Sequence, residues 1–369
     1  MIEIEAEILQ PVESPMRDLH ALGQSLWLDN ITRGLLNSGT LHAYIRDYAV
    51  TGLTSNPTIF EQAVQGSSFY DEAIQKKAGE GKATEDIFFE LALEDLTEAA
   101  DLFRPIHDAT TGIDGWVSLE VSPLLADDAP GTISEAARLH ARAGRPNLFI
   151  KIPGTPSGLH AIEESIFAGV PINVTLLFSR EQYLAAALAY MRGIERRMAA
   201  GLDPRVASVA SVFVSRWDVA VKDKVPQALQ NRLGIAIAQR TYAAYRELLE
   251  SPRWRKLAEA GAQLQRLLWG STGTKDPAAP DTLYLQALAA PDTIDTIPEK
   301  TLLAFADHGT VKETMAPDGG DAEQLLAEFA LAGIDVAALA TQLQQEGTVA
   351  FSKSWKSLLA VVAERIRLI

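Results

Sequence analysis

Residues 148–177 read Leu-Phe-Ile-Lys-Ile-Pro-Gly-Thr-Pro-Ser-Gly-Leu-His-Ala-Ile-Glu-Glu-Ser-Ile-Phe-Ala-Gly-Val-Pro-Ile-Asn-Val-Thr-Leu-Leu. Two short β-rich runs, Leu148–Ile152 and Val170–Leu176, flank a helical stretch around His160, which is a strand–helix–strand unit and predicts a parallel sheet. Strand side chains alternate between two faces. Leu148, Ile150 and Ile152 share one face, leaving Phe149 and Lys151 on the other. In the second run Ile172, Val174 and Leu176 oppose Asn173 and Thr175. Both runs are therefore apolar toward flanking helices, with polar groups on the hidden face.

The same reading extends along the chain. Further β runs are predicted at Leu26–Asp29, Val50–Thr54, Trp116–Val121, Val206–Val214, Gln265–Trp269 and Leu283–Leu288, making eight. Helical spacing fills the intervals at Ile87–Phe103, Thr132–Ala143, Arg180–Met198, Asp218–Lys224 and Ile235–Leu249, with Ser134 and Ser179 as helix caps. Eight strands alternating with helices predict an α/β chain folded as a closed (β/α)8 TIM barrel. An open nucleotide-binding sheet needs a Gly-rich phosphate loop after its first strand; here that segment is Asn30-Ile-Thr-Arg-Gly-Leu-Leu. Residues 299–306 and 321–346 read as helices around a turn at 316–321. An amphipathic helix near 350–366 follows, with Trp355, Leu358, Leu359 and Val362 on its apolar face, placed over the barrel mouth or on its side. Residues 1–369 are expected to form one domain, a barrel of about 250 residues with a helical C-terminal extension from about 299.

Composition narrows the function. The 369 residues include no cysteine, which removes disulfides, iron–sulfur clusters and thiol nucleophiles and fits a cytoplasmic setting. With 33 Lys+Arg against 48 Asp+Glu the net charge is −15, which disfavours non-specific nucleic-acid and anionic-membrane binding. No apolar run approaches the roughly 18 residues that span a bilayer. The N-terminal MIEIEAEILQPVESPM lacks the cationic start of a secretory signal. The six histidines show no metal-ligand spacing, and HExxH and GxSxG are absent, so no metal or other cofactor is expected. Monomer and homodimer are both compatible with the sequence.

Candidate catalytic groups are the polar residues that barrel geometry turns inward near the C-terminal strand ends. Burial favours lysine's neutral, nucleophilic amine, which suits Schiff-base formation; otherwise Lys151 reaches solvent or pairs with a carboxylate. Asn173 and Thr175 form a hydrogen-bonding wall or a mutually satisfied pair. Ser118 and Glu120 share a face in the third run, where a carboxylate needs a partner or a proton: Glu120 is an ion-pair partner for the lysine or an acid/base acting through water. Asp29 ends the first strand as a second carboxylate or a helix cap, and Asn56 ends the second in a turn. Ser211 and Phe213 share a face, with Arg216 following, and Ser271-Thr-Gly-Thr-Lys275 follows the seventh strand. Serine, arginine and a small-residue loop with a cation make a phosphate grip.

Three stretches resemble the transaldolase family: Thr54-Ser-Asn-Pro-Thr-Ile-Phe60, Phe149-Ile-Lys-Ile-Pro-Gly-Thr-Pro-Ser-Gly-Leu159 and Ile172-Asn-Val-Thr-Leu-Leu-Phe-Ser179. The resemblance covers roughly residues 20–300, and the length is similar to that of the longer bacterial subfamily. It implies a class I aldolase-type barrel with Lys151 as the Schiff-base lysine. By the same likeness Asp29 takes the C4-hydroxyl proton, and Glu120 with Thr175 holds the catalytic water. Asn56 and Asn173 match substrate ligands; Ser211, Arg216 and Ser271 match the phosphate site. Some family members carry an arginine after that last serine, and here Lys275 stands in as a point charge. The implied reaction moves a dihydroxyacetone unit from sedoheptulose 7-phosphate to glyceraldehyde 3-phosphate, giving erythrose 4-phosphate and fructose 6-phosphate. Shorter relatives that release dihydroxyacetone, the fructose-6-phosphate aldolases, carry a tyrosine where Phe213 stands, so this sequence fits transfer better. A non-catalytic scaffold would have lost one of Lys151, Asp29 or Glu120, and all three are present.

Overall fold

The computed structural model describes residues 14–311 and 313–367. Eight parallel strands close on themselves in sequence order: β1 Gln24–Leu28, β2 Val50–Leu53, β3 Trp116–Glu120, β4 Leu148–Pro153, β5 Ile172–Leu177, β6 Ser208–Phe213, β7 Arg266–Gly270 and β8 Thr293–Ile297. β8 pairs with β1 along its length, from Gln24 against Thr293 to Leu28 against Ile297, which closes the barrel. Helices cover the outside, the longest before the tail being Thr84–Ala109.

Alternation fixes what the barrel contains. Trp27, Trp116, Phe149, Ala207, Val209, Leu268 and Ile294 are buried together as its lower plug. Trp116 stacks on Phe149 with ring centroids 4.0 Å apart. Gly52 makes room for this plug, because a Cβ there would lie 2.6 Å from the Trp27 ring and 2.7 Å from the Trp116 carbonyl oxygen. One layer higher the same inward positions carry Asp29, Glu120, Lys151 and Thr175. The plug seals the end away from the chemistry, and the polar layer faces the C-terminal mouth.

Most predicted strands lie within two residues of their predicted limits, but the eighth is elsewhere. Leu283–Ala287 is a short helix, and β8 is Thr-Ile-Asp-Thr-Ile at 293–297. Leu-Tyr-Leu-Gln-Ala fits helical packing as well as strand pairing, whereas the true strand hides an acidic residue at its centre. Asp295 is fully buried; its Oδ1 accepts a 2.8 Å hydrogen bond from Thr272, and Oδ2 has no partner among the described residues. Ser134 does not start its helix either. Asp128 accepts from the Gly131 N–H, and the helix runs Ala129–Ala143. Ser179 does cap its helix, at 3.1 Å from the Gln182 N–H. Most of the acidic N-terminal stretch lies outside the described residues.

The tail is also divided differently from the prediction. Ala322–Leu331 is one helix and Val336–Arg367 is a continuous helix of 32 residues, meeting it at 90°. The break falls at 332–335, where Gly333 adopts φ +88°, and not near 347. No single helix among the described residues is long and apolar enough to cross a membrane. The apolar face of the terminal helix packs on the barrel's own helices: Trp355 is buried, edge-on to Phe88 (5.0 Å, 89°) and 5.4 Å from Phe89. Thr58 donates to Ser354 (2.8 Å) and Ser357 to Glu61 (2.5 Å), tying it to helix Pro57–Gly66.

Two outcomes follow. Trp355→Ala leaves a large cavity under the terminal helix and is expected to lower unfolding free energy by about 3–5 kcal/mol, read by denaturant titration. Burial also pushes the Asp295 carboxyl up to about 8, opposed by the Thr272 hydroxyl. The folded chain thus keeps this proton over a range where the unfolded chain has lost it, so the group's contribution falls as pH rises toward 8. Asp295→Asn cannot ionise. Its stability is expected to gain on the wild type by about 1 kcal/mol per pH unit between pH 5 and pH 8; a gap that stays constant contradicts this assignment.

Candidate active site

Lys151 sits near the end of β4, only 4% exposed, inside the barrel. Its Nζ lies 3.4 Å from Glu120 Oε2 on the neighbouring strand and donates to the Ser55 carbonyl at 3.2 Å. Strand register causes this, since Glu120 and Lys151 are direct partners in the β3–β4 ladder. Both reach the same interior layer, where leaving either charge unpaired would be costly. Of the alternatives for the lysine, pairing with a carboxylate is therefore realised, but beneath an open cavity and not at the solvent edge.

That cavity, about 330 Å³, opens at the C-terminal mouth of the barrel. Asp29, Asn56, Lys151, Ser211, Phe213, Arg216, Ser271 and Lys275 all line it. Glu120, Asn173 and Thr175 are buried beside Lys151 on the neighbouring strands and do not line the cavity. The structure thus gathers the eleven candidates into one place, eight in the wall and three buried next to it.

Asp29 is not a helix cap. The cap of the following helix is Thr32, whose side chain accepts from the Leu35 N–H. Instead the Asp29 carboxylate accepts from Thr54 Oγ1 at 2.8 Å, and Thr54 Oγ1 lies 2.7 Å from Thr296 Oγ1. With its one proton directed to Asp29, Thr54 must accept from Thr296, so β1, β2 and β8 jointly aim the carboxylate. Enclosure at the cavity floor raises the Asp29 pKa; Lys151, the Thr54 hydrogen bond and Lys275 oppose this. Burial likewise raises Glu120, against the pull of Lys151. Neither Glu120 oxygen nor the Thr175 hydroxyl has a hydrogen-bonding partner among the described residues.

Asn173 and Thr175 do not pair with each other. Asn173 donates to Ser118 Oγ at 3.1 Å and accepts from Ser211 Oγ at 2.7 Å, so the Ser211 proton is committed to Asn173. Asn56 is not in a turn: it caps helix Pro57–Gly66 from extended backbone, accepting from the Ile59 N–H at 3.1 Å, and it lines the cavity.

The cavity wall also carries cations. Arg216 has no carboxylate within ion-pairing distance among the described residues; its guanidinium carbon lies 5.1 Å from the Phe213 ring centroid and 5.7 Å from that of Phe351. A guanidinium held by ring faces keeps its N–H fork for an anion. Ser271 adopts φ +54°, and its Oγ lies 3.0 Å from Ser215 Oγ. Lys275 closes the loop beside Gly273.

Among the lining residues that sequence reasoning missed, three touch the candidate groups: Thr54, Thr296 and Phe351. Thr54 lay in the quoted Thr-Ser-Asn stretch without a role. Thr296 lay in the unrecognised β8. Phe351 arrives from the terminal helix, with its ring centroid 5.8 Å from Lys151 Nζ, and nothing in the local pattern separates it from an ordinary packing residue.

The chain has known relatives. The family model described as transaldolase/fructose-6-phosphate aldolase matches residues 26–362. A transaldolase of Parafrankia sp. (strain EAN1pec) is 43% identical over 364 residues, covering 96% of this chain and 99% of its own. The transaldolase of Saccharopolyspora erythraea is 44% identical over 360 residues, with 96% and 98% covered, and that of Neisseria gonorrhoeae is 42% identical over 346 residues, with 94% and 98% covered. With a closed eight-stranded barrel, a lysine buried inside it and likeness over almost the whole chain, the protein belongs to the transaldolase/fructose-6-phosphate aldolase family.

Proposed function

We propose that this chain is a cytoplasmic transaldolase that carries a dihydroxyacetone unit on Lys151 from a ketose phosphate, sedoheptulose 7-phosphate or fructose 6-phosphate, to an aldose phosphate. The barrel and the helices from about 299 onward act as one unit. The observation that carries the reading is the buried lysine amine, 3.4 Å from Glu120, in a cavity whose wall also holds Arg216 and Lys275. An imine needs an amine at one end of the site, and a phosphorylated sugar needs cations at the other.

Each residue has a task in this scheme. Arg216, Lys275 and Ser271 hold the phosphate, orienting the chain of carbons toward β4. The Lys151 amine adds to the C2 carbonyl, and loss of water gives the imine. Glu120, ion-paired with Lys151, and Thr175, whose hydroxyl has no hydrogen-bonding partner among the described residues, hold that water and move its protons. Asn56 and Asn173 hold substrate hydroxyls. Asp29 removes the C4-hydroxyl proton, the C3–C4 bond breaks, and its electron pair is delocalised into the protonated imine. The aldose leaves, and the three-carbon enamine stays on Lys151 until an acceptor aldehyde arrives. A carboxyl whose pKa is raised, as that of Asp29 is, holds and returns this proton more readily than an ordinary aspartate.

The family also includes enzymes named for aldol release. Transfer is favoured here because Phe213 and Phe351 present rings, not hydroxyls, at the wall nearest the amine. A ring cannot donate a hydrogen bond to a water attacking the intermediate.

Borohydride added with fructose 6-phosphate is expected to fix a three-carbon adduct on Lys151, found by peptide mass. Asp29→Ala is expected to form the imine without cleaving C3–C4, so the trapped adduct keeps all six carbons; full turnover by that variant removes Asp29 from its role. Fructose 6-phosphate with erythrose 4-phosphate is expected to turn over much faster than fructose 6-phosphate alone. Equal dihydroxyacetone release without acceptor supports the aldolase reading instead. Lys275→Ala is expected to raise the KM for phosphorylated acceptor about tenfold or more, the order of one charge-assisted hydrogen bond, and to leave the KM for unphosphorylated glyceraldehyde nearly unchanged.

A further inference from the structure

β5 is interrupted where it reaches the site. Its pairing with β6 runs regularly from Ile172 to Val174 and resumes at Leu177 opposite Val212, so two residues stand against one. This is a bulge, and bulges re-aim side chains next to active sites. Leu176, fully buried, takes the left-handed conformation at φ +58°. For a non-glycine residue that conformation is strained and persists only if its surroundings hold it.

Gln344, about two turns before Phe351 on the terminal helix, supplies the hold. Its side-chain amide is buried and donates both protons, at 3.0 Å to the Leu176 carbonyl and at 3.0 Å to the Gly154 carbonyl. Gly154 in turn donates its N–H to the Thr175 carbonyl at 2.7 Å. One amide therefore joins the end of β4, three residues beyond Lys151, to the bulge that carries Thr175. Below it Gly347 lets Leu176 pack against the helix: a Cβ there would lie 2.9 Å from Leu176 Cδ2. The Thr175 hydroxyl has no hydrogen-bonding partner among the described residues, so the backbone of the bulge sets the direction from which its side chain projects.

We propose that Gln344 is a positioning residue for the imine steps: by clamping the Leu176 and Gly154 carbonyls it holds the left-handed bulge that aims Thr175 at the Lys151–Glu120 pair. The inference rests on the Schiff-base reading above. It separates the two ends of the site. The phosphate wall is built from β6, β7 and their loops, with Phe351 of the terminal helix against Arg216; the hydrogen bonds of Gln344 go to Gly154 and Leu176 and not to this wall. Loss of the clamp therefore slows imine formation and spares phosphate recognition, whereas a helix anchor without this role affects both or neither.

The test uses the full chain with Gln344→Met, which keeps the volume and removes both donors. The rate of imine formation from fructose 6-phosphate is read by timed borohydride trapping, and the KM for erythrose 4-phosphate by steady-state assay. Expected are a fall of tenfold or more in the trapping rate and an acceptor KM within twofold of wild type. In a Thr175→Val background the same change is expected to add less than twofold, because it acts through that hydroxyl. A trapping rate equal to wild type overturns the proposal, as does an equal loss in trapping rate and acceptor KM. If Gln344→Met shows no cooperative melt, Gln344→Ala is measured by the same criteria, since water can then reach the two carbonyls. A wild-type enzyme that traps no adduct at all overturns the Schiff-base reading instead, and with it the ground for assigning Gln344.

Discussion

A lysine ammonium taken out of water inside a closed barrel is the constraint around which the rest of this molecule is arranged. Isolated in an apolar interior it would be expelled or neutralised. Parallel register brings Glu120 beside it, and the Ser55 carbonyl accepts one of its protons. The layer below is filled with three large aromatic side chains, so water does not reach the amine from that end. The layer above is left open to the mouth. Structure and reactivity meet in that asymmetry: an amine sealed below and exposed above reacts only with what enters the cavity.

The same constraint explains the charge pattern. The chain carries −15 overall, yet the ligand it is built for is an anion. Net charge sets a distant field that salt screens over about 10 Å; binding is decided within the cavity, where Lys151, Arg216 and Lys275 face Asp29 and Glu120. The buried carboxylates carry raised pKa values and the arginine lacks an ion-pair partner, so these groups are poorly satisfied until substrate arrives. Such sites weaken the fold locally, and the helices that close the tail over the barrel offset it.

Much of this was legible in the sequence because period-2 alternation is a strong signal in strands buried on both faces. Lys151, Asn173 and Glu120 stood out as polar residues on the hidden side of apolar runs, and the structure places them there. β8 was not legible, since Asp295 breaks its apolar character and only the Thr272 contact makes that burial tolerable. The terminal helix was legible as amphipathic, but its true start was not. The sequence offers no proline near 332–335, and Gly333 and Gly347 looked alike; one ends a turn at positive φ, the other makes room for Leu176. Phe351 and Gln344 escaped for a related reason: their roles come from where a distant helix lands on the barrel mouth, and local periodicity carries no such information.

That landing also bears on why such a site transfers a carbon unit and does not release it. An enamine on Lys151 survives only while water with a properly placed proton donor is kept away. Phe213 and Phe351 enclose Arg216 and leave a ring face, not a hydroxyl, toward the amine. In the proposed scheme Glu120 and Thr175 are the groups that manage water, and both are buried, with Glu120 3.4 Å from the amine. Helix and barrel share that control: the barrel supplies the amine and carboxylates, and the helix supplies the apolar wall and the amide that fixes the bulge at Thr175.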